Sequence, residues 1–127
     1  MDLFIVRGLP GAGKTTIARL ITETVLSADD YFVDEKGVYR FDPSLVKLAH
    51  RYCQRLCYQA MEQKIPKIAI ANTFSQEWEF EPYYDLAQSF NYRVHSIIAE
   101  NRHGSENIHN VPYSIIHKMR DRFKIVL

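Results

Sequence analysis

The sequence has little of what marks an exported or membrane-bound protein. No apolar run in its 127 residues approaches the roughly 20 residues that a helix needs to cross a bilayer. Residues 1–7 carry an acid at position 2 and lead directly into a strand pattern, unlike a signal peptide. We therefore expect a cytoplasmic protein with no membrane partner. Its 46% hydrophobic and 13% aromatic content excludes a disordered chain and predicts a single domain over residues 1–127.

Cysteine is also scarce, and its spacing argues against a metal or redox site. Cys53 and Cys57 are four residues apart, on one face of a predicted helix. A zinc or redox pair is usually spaced C-x-x-C with further ligands nearby, and none follow here. We therefore predict two reduced cysteines packed in the core.

The chain lacks a strong overall charge, since its formal net charge is +1. The charge is uneven locally, because residues 43–67 hold five Lys or Arg side chains against one acid, and residues 73–92 hold four acids and no base. Solvated helix faces explain this pattern. A basic groove for a polyanion stays open as the alternative.

Strand and helix patterns alternate along the chain, and the strand patterns are apolar on both faces. The longest helix should begin at the pair Asp42-Pro43, with the aspartate as N-cap and the proline in the first turn. The alternation predicts a doubly wound, parallel α/β sheet with helices on both faces. Strands are predicted at 3–7, 24–27, 68–71, 92–99 and 124–127, and helices at 14–23, from 43 to about 60, at 77–90 and at 112–122.

One motif carries specific chemistry. The stretch GLPGAGKT, residues 8–15, fits G-x-x-x-x-G-K-[ST] in full, with a strand before it and a helix after it. Its glycines let backbone N–H groups turn towards a β-phosphate, and the helix N-terminus adds its positive dipole. Lys14 would reach the β- and γ-phosphates of ATP, and the Thr15 hydroxyl would bind Mg²⁺. The predicted nucleotide-binding residues are Gly8, Leu9, Pro10, Gly11, Ala12, Gly13, Lys14, Thr15 and Thr16.

Two further absences narrow the class of phosphate-loop protein. No Asn-Lys-x-Asp stretch occurs, which argues against a guanine-specific GTPase. The 127 residues are also too few for the additional arms of a motor or helicase. A small kinase matches this length.

An acidic pair follows the second predicted strand. Asp29 and Asp30 would lie at the sheet edge that carries the phosphate loop, with their side chains on opposite sides of an extended backbone. A carboxylate there can accept a proton from an acceptor hydroxyl or orient Mg²⁺. From these residues alone, a pair that caps a turn is an equally good interpretation.

A resemblance to a known family rests on five stretches, which occur in the order RGLPGAGKTTIARL, SADDYF, GVYRFDPSLVKLAHRYC, NT…WE…PY and HNVP…I…M..RF. In this order they resemble the phosphate-loop kinases grouped with the 5′-kinase domain of phage polynucleotide kinase and its small stand-alone relatives. The resemblance spans residues 7–123 and implies a five-stranded sheet of order 2-3-1-4-5, with a lid at about 100–111. It also implies ATP-dependent phosphorylation, often of a polynucleotide 5′-hydroxyl, so that single-stranded or 5′-end nucleic acid would be the substrate.

The resemblance also implies roles for individual residues. Lys14 and Thr15 match the residues for phosphate and magnesium. Asp29 matches the general base, which also lies beside the metal position. Asn72 and Thr73 match the turn after the third strand. The end of the lid motif is matched by Asn107, His109, Val111 and Pro112.

The chain departs from the family pattern at three positions. Ala71 stands where relatives often have an aspartate in the third-strand turn. Phe32 stands where the polynucleotide kinase has an arginine that contacts phosphate. The lid arginine expected near position 106 is Glu106 here, and Arg102 is the predicted substitute, with a catalytic role.

Two weaker candidates complete the predicted substrate-binding set with Asn72 and Thr73. Tyr31 could stack on an acceptor base, and His50 matches a histidine that recurs in the relatives. Because the phosphate-contacting arginines are partly absent, two other functions stay open. One is a kinase for a nucleoside, sugar or antibiotic, and the other is a nucleotide-binding module without turnover.

Overall fold

Four parallel strands form the sheet in the computed structural model, which describes residues 1–103 and 110–127. The strands are β1 (Asp2–Arg7), β2 (Val25–Leu26), β3 (Lys67–Ala71) and β4 (Arg93–Ile98), arranged in the order β2-β3-β1-β4. This arrangement confirms the predicted parallel α/β fold and the order predicted for the first four strands.

The predicted fifth strand is wrong, so the sheet of the described residues has four strands rather than five. Residues 124–127 have no regular secondary structure. The Lys124 N–H donates to the Ser75 carbonyl at 2.6 Å, and the Lys124 carbonyl accepts a hydrogen bond from Arg7 at 2.5 Å. These bonds hold the segment at the turn after β3, so its first backbone groups do not pair with β4.

The central strand β1 is buried on both faces. It pairs with β3 on one side and with β4 on the other, and the side chains of Leu3, Ile5 and Val6 have no exposed surface. A parallel strand covered on both faces is typically a continuous apolar run, as this one is. The register places Val6 beside Ala71 and Ile97, so the carboxyl ends of three strands meet at one edge.

Helices cover both faces of this sheet. α1 (Lys14–Ile21) packs on the face with the smaller core, whereas α2 (Val46–Glu62) and α3 (Glu77–Phe90) enclose the larger one. The last helix, α4 (Tyr113–Arg122), buries none of its residues completely. No helix within the described ranges is long and apolar enough to cross a bilayer.

The longest helix begins slightly later than predicted. Asp42 does act as a cap, since its carboxylate accepts a hydrogen bond from the Ser44 N–H at 2.9 Å. Pro43–Leu45 then forms a single 3-10 turn, and the α-helical backbone of α2 starts only at Val46. A second 3-10 turn, Ala28–Phe32, follows the two-residue strand β2.

Both cysteines are buried in the larger core, as predicted. Cys53 and Cys57 have no exposed surface and form no disulfide. Burial raises the pKa of Cys53 to about 11 and that of Cys57 to about 12, because an apolar environment disfavours the thiolate. Their contribution is therefore to packing rather than to chemistry.

Candidate functional site

The phosphate loop connects β1 to α1 at the carboxyl edge of the sheet. Gly11 and Gly13 have φ angles of +86° and +88°, which residues with a side chain rarely adopt. Gly8 is required for a different reason, because a Cβ there would lie 2.8 Å from the Ala99 carbonyl oxygen at the end of β4. The path of this loop therefore depends on its glycines.

Lys14 is the first residue of α1 and is half-buried against the loop. Its ammonium donates to the Leu9 carbonyl at 3.1 Å. Burial lowers the pKa of Lys14 to about 8, and the nearby Asp29 carboxylate partly offsets this shift. A bound phosphate would stabilise the charged form of this partly desolvated ammonium.

Thr15 and Thr16 lie in the first turn of α1, and both are exposed. The N-cap residue of this helix is Gly13, and no side chain of the described residues caps its first turn. An uncapped helix N-terminus suits an anion, because its N–H groups and its dipole both favour negative charge. The two hydroxyls are exposed at this end of the helix.

The 3-10 turn after β2 places Asp29 at the same sheet edge. Ser27 caps the turn, since its hydroxyl accepts a hydrogen bond from the Asp29 N–H at 3.2 Å. The Asp29 carboxylate lies near enough to Lys14 for its charge to raise the lysine pKa. Asp29 and Asp30 thus follow the second strand as predicted, but the expectation of an extended backbone is wrong, because the turn is helical.

Asn72 holds this turn in place from the end of β3. Its side-chain oxygen accepts hydrogen bonds from the Ala28 N–H at 2.9 Å and from the Ser27 hydroxyl at 3.2 Å. Its amide nitrogen lies 3.9 Å from the Cys53 sulfur, and the side chain is buried. These contacts join Asn72 to the start of the turn that carries Asp29, and its role in substrate binding stays a prediction.

The neighbours of Asn72 have different surroundings. Ala71 is buried and packs with Val6 and Ala18 in the smaller core. An aspartate there would have to place its carboxylate among apolar side chains, which is costly without partners. Thr73 is half-buried, and its carbonyl accepts a hydrogen bond from the Gly8 N–H at 3.3 Å. The third-strand turn is therefore joined directly to the phosphate loop.

Tyr39 contacts Asp29, which the sequence patterns did not predict. Its hydroxyl lies 3.5 Å from Asp29 Oδ1 and donates a long hydrogen bond. Burial raises the pKa of Tyr39 to about 12, and the charge of Asp29 adds to the shift. Tyr39 therefore remains protonated near neutral pH and can act as a donor to the carboxylate. The stretch GVYRFDP contains it, but no spacing rule joins positions 29 and 39.

After β4 the chain reaches the phosphate loop through His103. The His103 Nε2 donates to the Ala12 carbonyl at 3.1 Å, and it lies 3.3 Å from where a Cβ on Gly13 would be. Arg102, the predicted lid arginine, is exposed, and its guanidinium donates to the Glu100 carboxylate. The polar pattern of this stretch contains no signal that singles out His103.

Half of the predicted lid, residues 104–109, lies outside the described residues. Glu106, Asn107 and His109 belong to that part of the chain, so the inferences made at these positions stay predictions. Val111 is half-buried, and Pro112 is the N-cap residue of α4, with its carbonyl accepting a hydrogen bond from the Ile116 N–H at 3.1 Å.

The two weaker acceptor-side candidates lie on neighbouring elements. Tyr31 is two residues beyond Asp29 in the 3-10 turn, and its ring centroid lies 5.5 Å from that of Tyr52 on α2. His50 is half-buried on the same helix, two residues before Tyr52. Tyr31 therefore lies on the turn that carries Asp29, and His50 lies on the helix α2, which packs against that turn.

Arg7, at the end of β1, is a buried cation to which the sequence analysis gave no role. Its guanidinium lies between the rings of Phe80 and Phe123, at 4.7 and 4.6 Å from their centroids. Its Nε donates to the Phe74 carbonyl at 2.9 Å, and a second nitrogen bonds the Lys124 carbonyl. Arg7 thus joins β1, the turn after β3, α3 and the segment after α4, next to the phosphate loop.

A cleft of about 230 Å³ opens beside the phosphate loop. Pockets that enclose a complete drug-sized ligand usually measure about 300–1,000 Å³, so this cleft suits one part of a nucleotide, such as a planar base. It is lined by residues of the loop, the end of β4 and the C-terminal region, namely Gly8, Leu9, Ala12, Ile98, Ala99, Glu100, Asn101, Arg120, Phe123 and Ile125.

Nearly the whole chain matches one protein family. A family model described as an AAA domain matches residues 3–124. This chain belongs to that AAA-domain family. The match includes the phosphate loop, the turn that carries Asp29, and α4. The phosphate loop and the turn that carries Asp29 thus lie within one AAA domain.

A relative of this AAA domain forms part of a much longer protein. Human NEDD4-binding protein 2 is 42% identical over 97 residues, which is 72% of this chain and 5% of that protein. The chain therefore spans only a small part of its curated relative.

Two solved structures of other proteins have a fold similar to that of this AAA domain. The Pnkp1/Rnl/Hen1 RNA repair complex aligns with a TM-score of 0.64 at 17% identity, over 96% of this chain and 43% of that chain. The APS kinase CysC of Mycobacterium tuberculosis, in complex with AMPPNP and APS, aligns with a TM-score of 0.56 at 12% identity, over 92% and 66%. These likenesses show a P-loop kinase-like fold. The narrower grouping with phage polynucleotide kinase stays a prediction.

Proposed function

We propose that this domain, over residues 1–127, transfers the γ-phosphate of ATP to a hydroxyl group, with a polynucleotide 5′-hydroxyl as the acceptor. The observation that carries the proposal is the position of the turn with Asp29, which follows β2 at the same sheet edge as the phosphate loop and Lys14. Phosphoryl transfer to an alcohol needs groups that bind the phosphates and a base that receives the hydroxyl proton. Both kinds of group lie at this one sheet edge.

On the donor side, the phosphate loop would bind the phosphates of ATP through its backbone N–H groups and Thr16. Lys14 would exchange the Leu9 carbonyl for the β- and γ-phosphate oxygens. That exchange would replace a neutral partner by an anionic one in a partly desolvated place, where electrostatic interactions are stronger than in water. The cleft between Ile98 and Phe123 would hold the adenine base.

Magnesium fits the oxygen donors at this edge. Mg²⁺ prefers hard oxygen ligands and usually takes one or two carboxylates together with waters and substrate phosphates. The Thr15 hydroxyl and the Asp29 carboxylate are such ligands. Among the described residues, no group of three His, Cys, Asp or Glu side chains could hold a metal ion. When bound, Mg²⁺ would neutralise part of the charge on the β- and γ-phosphates.

On the acceptor side, Asp29 would receive the proton of the attacking hydroxyl. The acceptor oxygen forms a bond to the γ-phosphorus while the bond from that phosphorus to ADP breaks, and the proton moves to the carboxylate. The Tyr39 hydroxyl would orient this carboxylate, and Asn72 would fix the turn that carries it.

Two observations support a polynucleotide acceptor. The fold is similar to that of a chain in an RNA repair complex, and an aromatic side chain, Tyr31, lies two residues beyond Asp29 and is partly exposed. Arg102 would supply the positive charge of the lid after its side chain turns away from Glu100. The predicted contacts of His50 and Thr73 with the acceptor belong to the same proposal.

A nucleotide-binding module without turnover is the second candidate, and Ala71 favours it. This residue is buried in the core, so the third-strand turn carries no carboxylate at that position. If the domain transferred phosphate, it would have to use the Asp29 carboxylate without a second carboxylate at position 71. A domain that binds ATP without transferring phosphate could still act through a partner.

The test is a transfer assay with γ-labelled ATP, Mg²⁺ and a panel of 5′-hydroxyl oligonucleotides, nucleosides and sugars. We expect label on the oligonucleotides and none without Mg²⁺. Label on a nucleoside or sugar would replace the proposed acceptor class. Calorimetric binding of ATP with no labelled product on the panel would favour the binding module.

A further inference from the structure

The segment after the Asp29 turn exposes apolar side chains beside the candidate site. Exposed fractions are 54% for Phe41, 45% for Val38 and 43% for Val33, and Tyr31 is 36% exposed. Isolated exposed apolar residues are ordinary, but a contiguous apolar surface usually marks a binding site. We call the exposed rings of Tyr31 and Phe41, together with the half-buried ring of Tyr39, the aromatic strip.

Two rings of the aromatic strip are nearly parallel and pack on a third, buried ring. Tyr39 and Phe41 are nearly parallel, with an interplanar angle of 13° and centroids 6.5 Å apart. Phe32 lies buried beneath them, and its ring meets Phe41 edge-on at 5.1 Å and Tyr39 at 6.2 Å. Phe32 is therefore the core member of this group, whereas over half of the Phe41 surface faces solvent.

Backbone contacts hold the segment of the aromatic strip in one conformation. Val33 and Tyr39 form an antiparallel bridge, and the Arg40 N–H donates to the Phe32 carbonyl at 2.8 Å. The Asp34 carboxylate accepts hydrogen bonds from two N–H groups of the turn at 2.9 Å. The rings are therefore held in place before any ligand binds, which lowers the entropy cost of binding.

The aromatic strip is continuous with the catalytic candidates. The Tyr39 hydroxyl is the group that contacts Asp29, while the ring of the same residue lies parallel to Phe41. A molecule whose hydroxyl is held at Asp29 would therefore meet these rings with its adjoining part. The segment is nearly neutral at this surface, because Arg40 is paired with Asp34 at 3.2 Å.

We propose that the aromatic strip stacks the nucleobase of the acceptor residue whose hydroxyl is phosphorylated. A planar, uncharged ring matches a neutral aromatic surface, and base–aromatic stacking tolerates any base because every base has a π-face. The inference rests on the proposed function and makes it more specific, since it assigns the acceptor side to a residue that carries a base.

The experiment measures equilibrium binding, so it does not require turnover. The probes are two oligonucleotides with a 5′-hydroxyl, one with 2-aminopurine as the first base and one with an abasic first residue. Binding of the first is followed by quenching of its fluorescence, and that of the second by competition. We expect the wild-type protein to bind the base-bearing oligonucleotide at least about fivefold more tightly, the lower end of what one stacked base contributes.

Phe41→Leu tests the strip, and Trp78→Leu is the matched control. Leucine keeps an apolar side chain at an exposed position but removes the aromatic face. Trp78 is also an exposed aromatic residue, at 68%, but it lies on α3, where its indole N–H donates to Gln76. We expect Phe41→Leu to lose the preference for the base-bearing oligonucleotide, with quenching reduced, and Trp78→Leu to keep both.

The outcomes separate this inference from the proposed function. If the preference and its loss in Phe41→Leu are found, the aromatic strip binds a base even where no phosphate transfer is detected, and only the proposed function fails. Equal affinity of the wild-type protein for the two oligonucleotides overturns the inference, even if transfer occurs. An unchanged preference in Phe41→Leu, with the same thermal denaturation midpoint as the parent, also overturns it. Absence of oligonucleotide binding overturns it as well.

Discussion

The proposed donor side, which would bind ATP, and the proposed acceptor side, which would bind the attacking hydroxyl, are held in place by different contacts. The donor side takes its shape from the backbone, in which Gly11 and Gly13 adopt positive φ angles and Gly8 makes room for the end of β4, and Lys14 adds its side chain to this loop. The acceptor side, residues 27–41, depends on side chains as well as on backbone hydrogen bonds. Ser27 and Asn72 fix its turn by hydrogen bonds, and packed rings add to the Val33–Tyr39 bridge in holding the segment that follows.

This difference indicates where specificity resides. A backbone loop that binds phosphate is nearly independent of the side chains that do not touch it, so many sequences can bind the same donor. An acceptor surface made of side chains changes with each substitution in residues 27–41 while the sheet beneath it stays intact. We therefore expect the fold and ATP binding to withstand changes on the acceptor side that alter which hydroxyl is phosphorylated.

The largest effect is expected for Lys14→Ala, on the donor side. Removing the ammonium leaves the β- and γ-phosphate charges without their partner, a loss of several kcal/mol in such sites, so transfer should fall below detection. Calorimetry should show clearly weaker ATP binding. Lys47→Ala removes an exposed lysine on α2 and should bind ATP like the parent. Unchanged ATP affinity in Lys14→Ala would contradict the assignment of this loop.

Arg102→Ala tests whether the donor side also needs a charge from the segment after β4. If Arg102 reaches the transferring phosphate, its loss should lower turnover by about 10³- to 10⁵-fold, because the charge it meets is largest in the transition state. ATP affinity should change little. Single-turnover measurements by rapid chemical quench would separate the effect on phosphate transfer from the effect on ATP affinity.

His103→Ala should be measured beside Arg102→Ala. It removes the hydrogen bond to the Ala12 carbonyl but no permanent charge, so its effect on turnover should be much smaller than that of Arg102→Ala. Near-normal turnover in Arg102→Ala together with a large loss in His103→Ala would transfer the lid role to the histidine.

The two sides also differed in how well the sequence predicted them. The motif at residues 8–15 is local, because its glycines, lysine and threonine act within one loop, and its position between β1 and α1 is confirmed. Tyr39 and Arg7 were missed because no local sequence pattern joins either residue to its partners, as in the bond from Arg7 to the Lys124 carbonyl. The fifth strand was predicted wrongly because apolar residues near 125 indicate strand propensity but not which backbone groups they meet.

Asp29→Asn tests the acceptor side with a smaller expected effect. Asparagine keeps the size of the side chain and can still accept a hydrogen bond from Tyr39, but it cannot take the proton of the acceptor hydroxyl. Transfer should fall by about 10²-fold or more, the usual contribution of a positioned general base. The free energy of unfolding and most of the ATP affinity should be retained.

Asp30→Asn is the control for loss of negative charge in the same turn. Partial burial raises the pKa of the Asp30 carboxyl, and the charge of Asp29 raises it further. Asparagine at position 30 therefore relieves a repulsion and should affect transfer far less than asparagine at 29. If both variants transfer phosphate as well as the parent, Asp29 is not the general base.

The smallest expected effect is that of Asn72→Ala, which tests the support beneath Asp29. The substitution leaves the buried Ala28 N–H without its acceptor, so the free energy of unfolding should fall by about 1–3 kcal/mol. Ser27→Ala removes the cap of the Asp29 N–H and should cost about 1 kcal/mol.

Both variants should lower kcat for the acceptor while the Kd of ATP stays close to that of the parent, because the phosphate loop keeps its own backbone geometry. Chemical denaturation and calorimetry measure these quantities on the same samples. If Asn72→Ala instead unfolds at the parent's denaturant midpoint and raises only the KM of the acceptor, Asn72 binds the acceptor directly, and the turn that carries Asp29 is stabilised by other contacts.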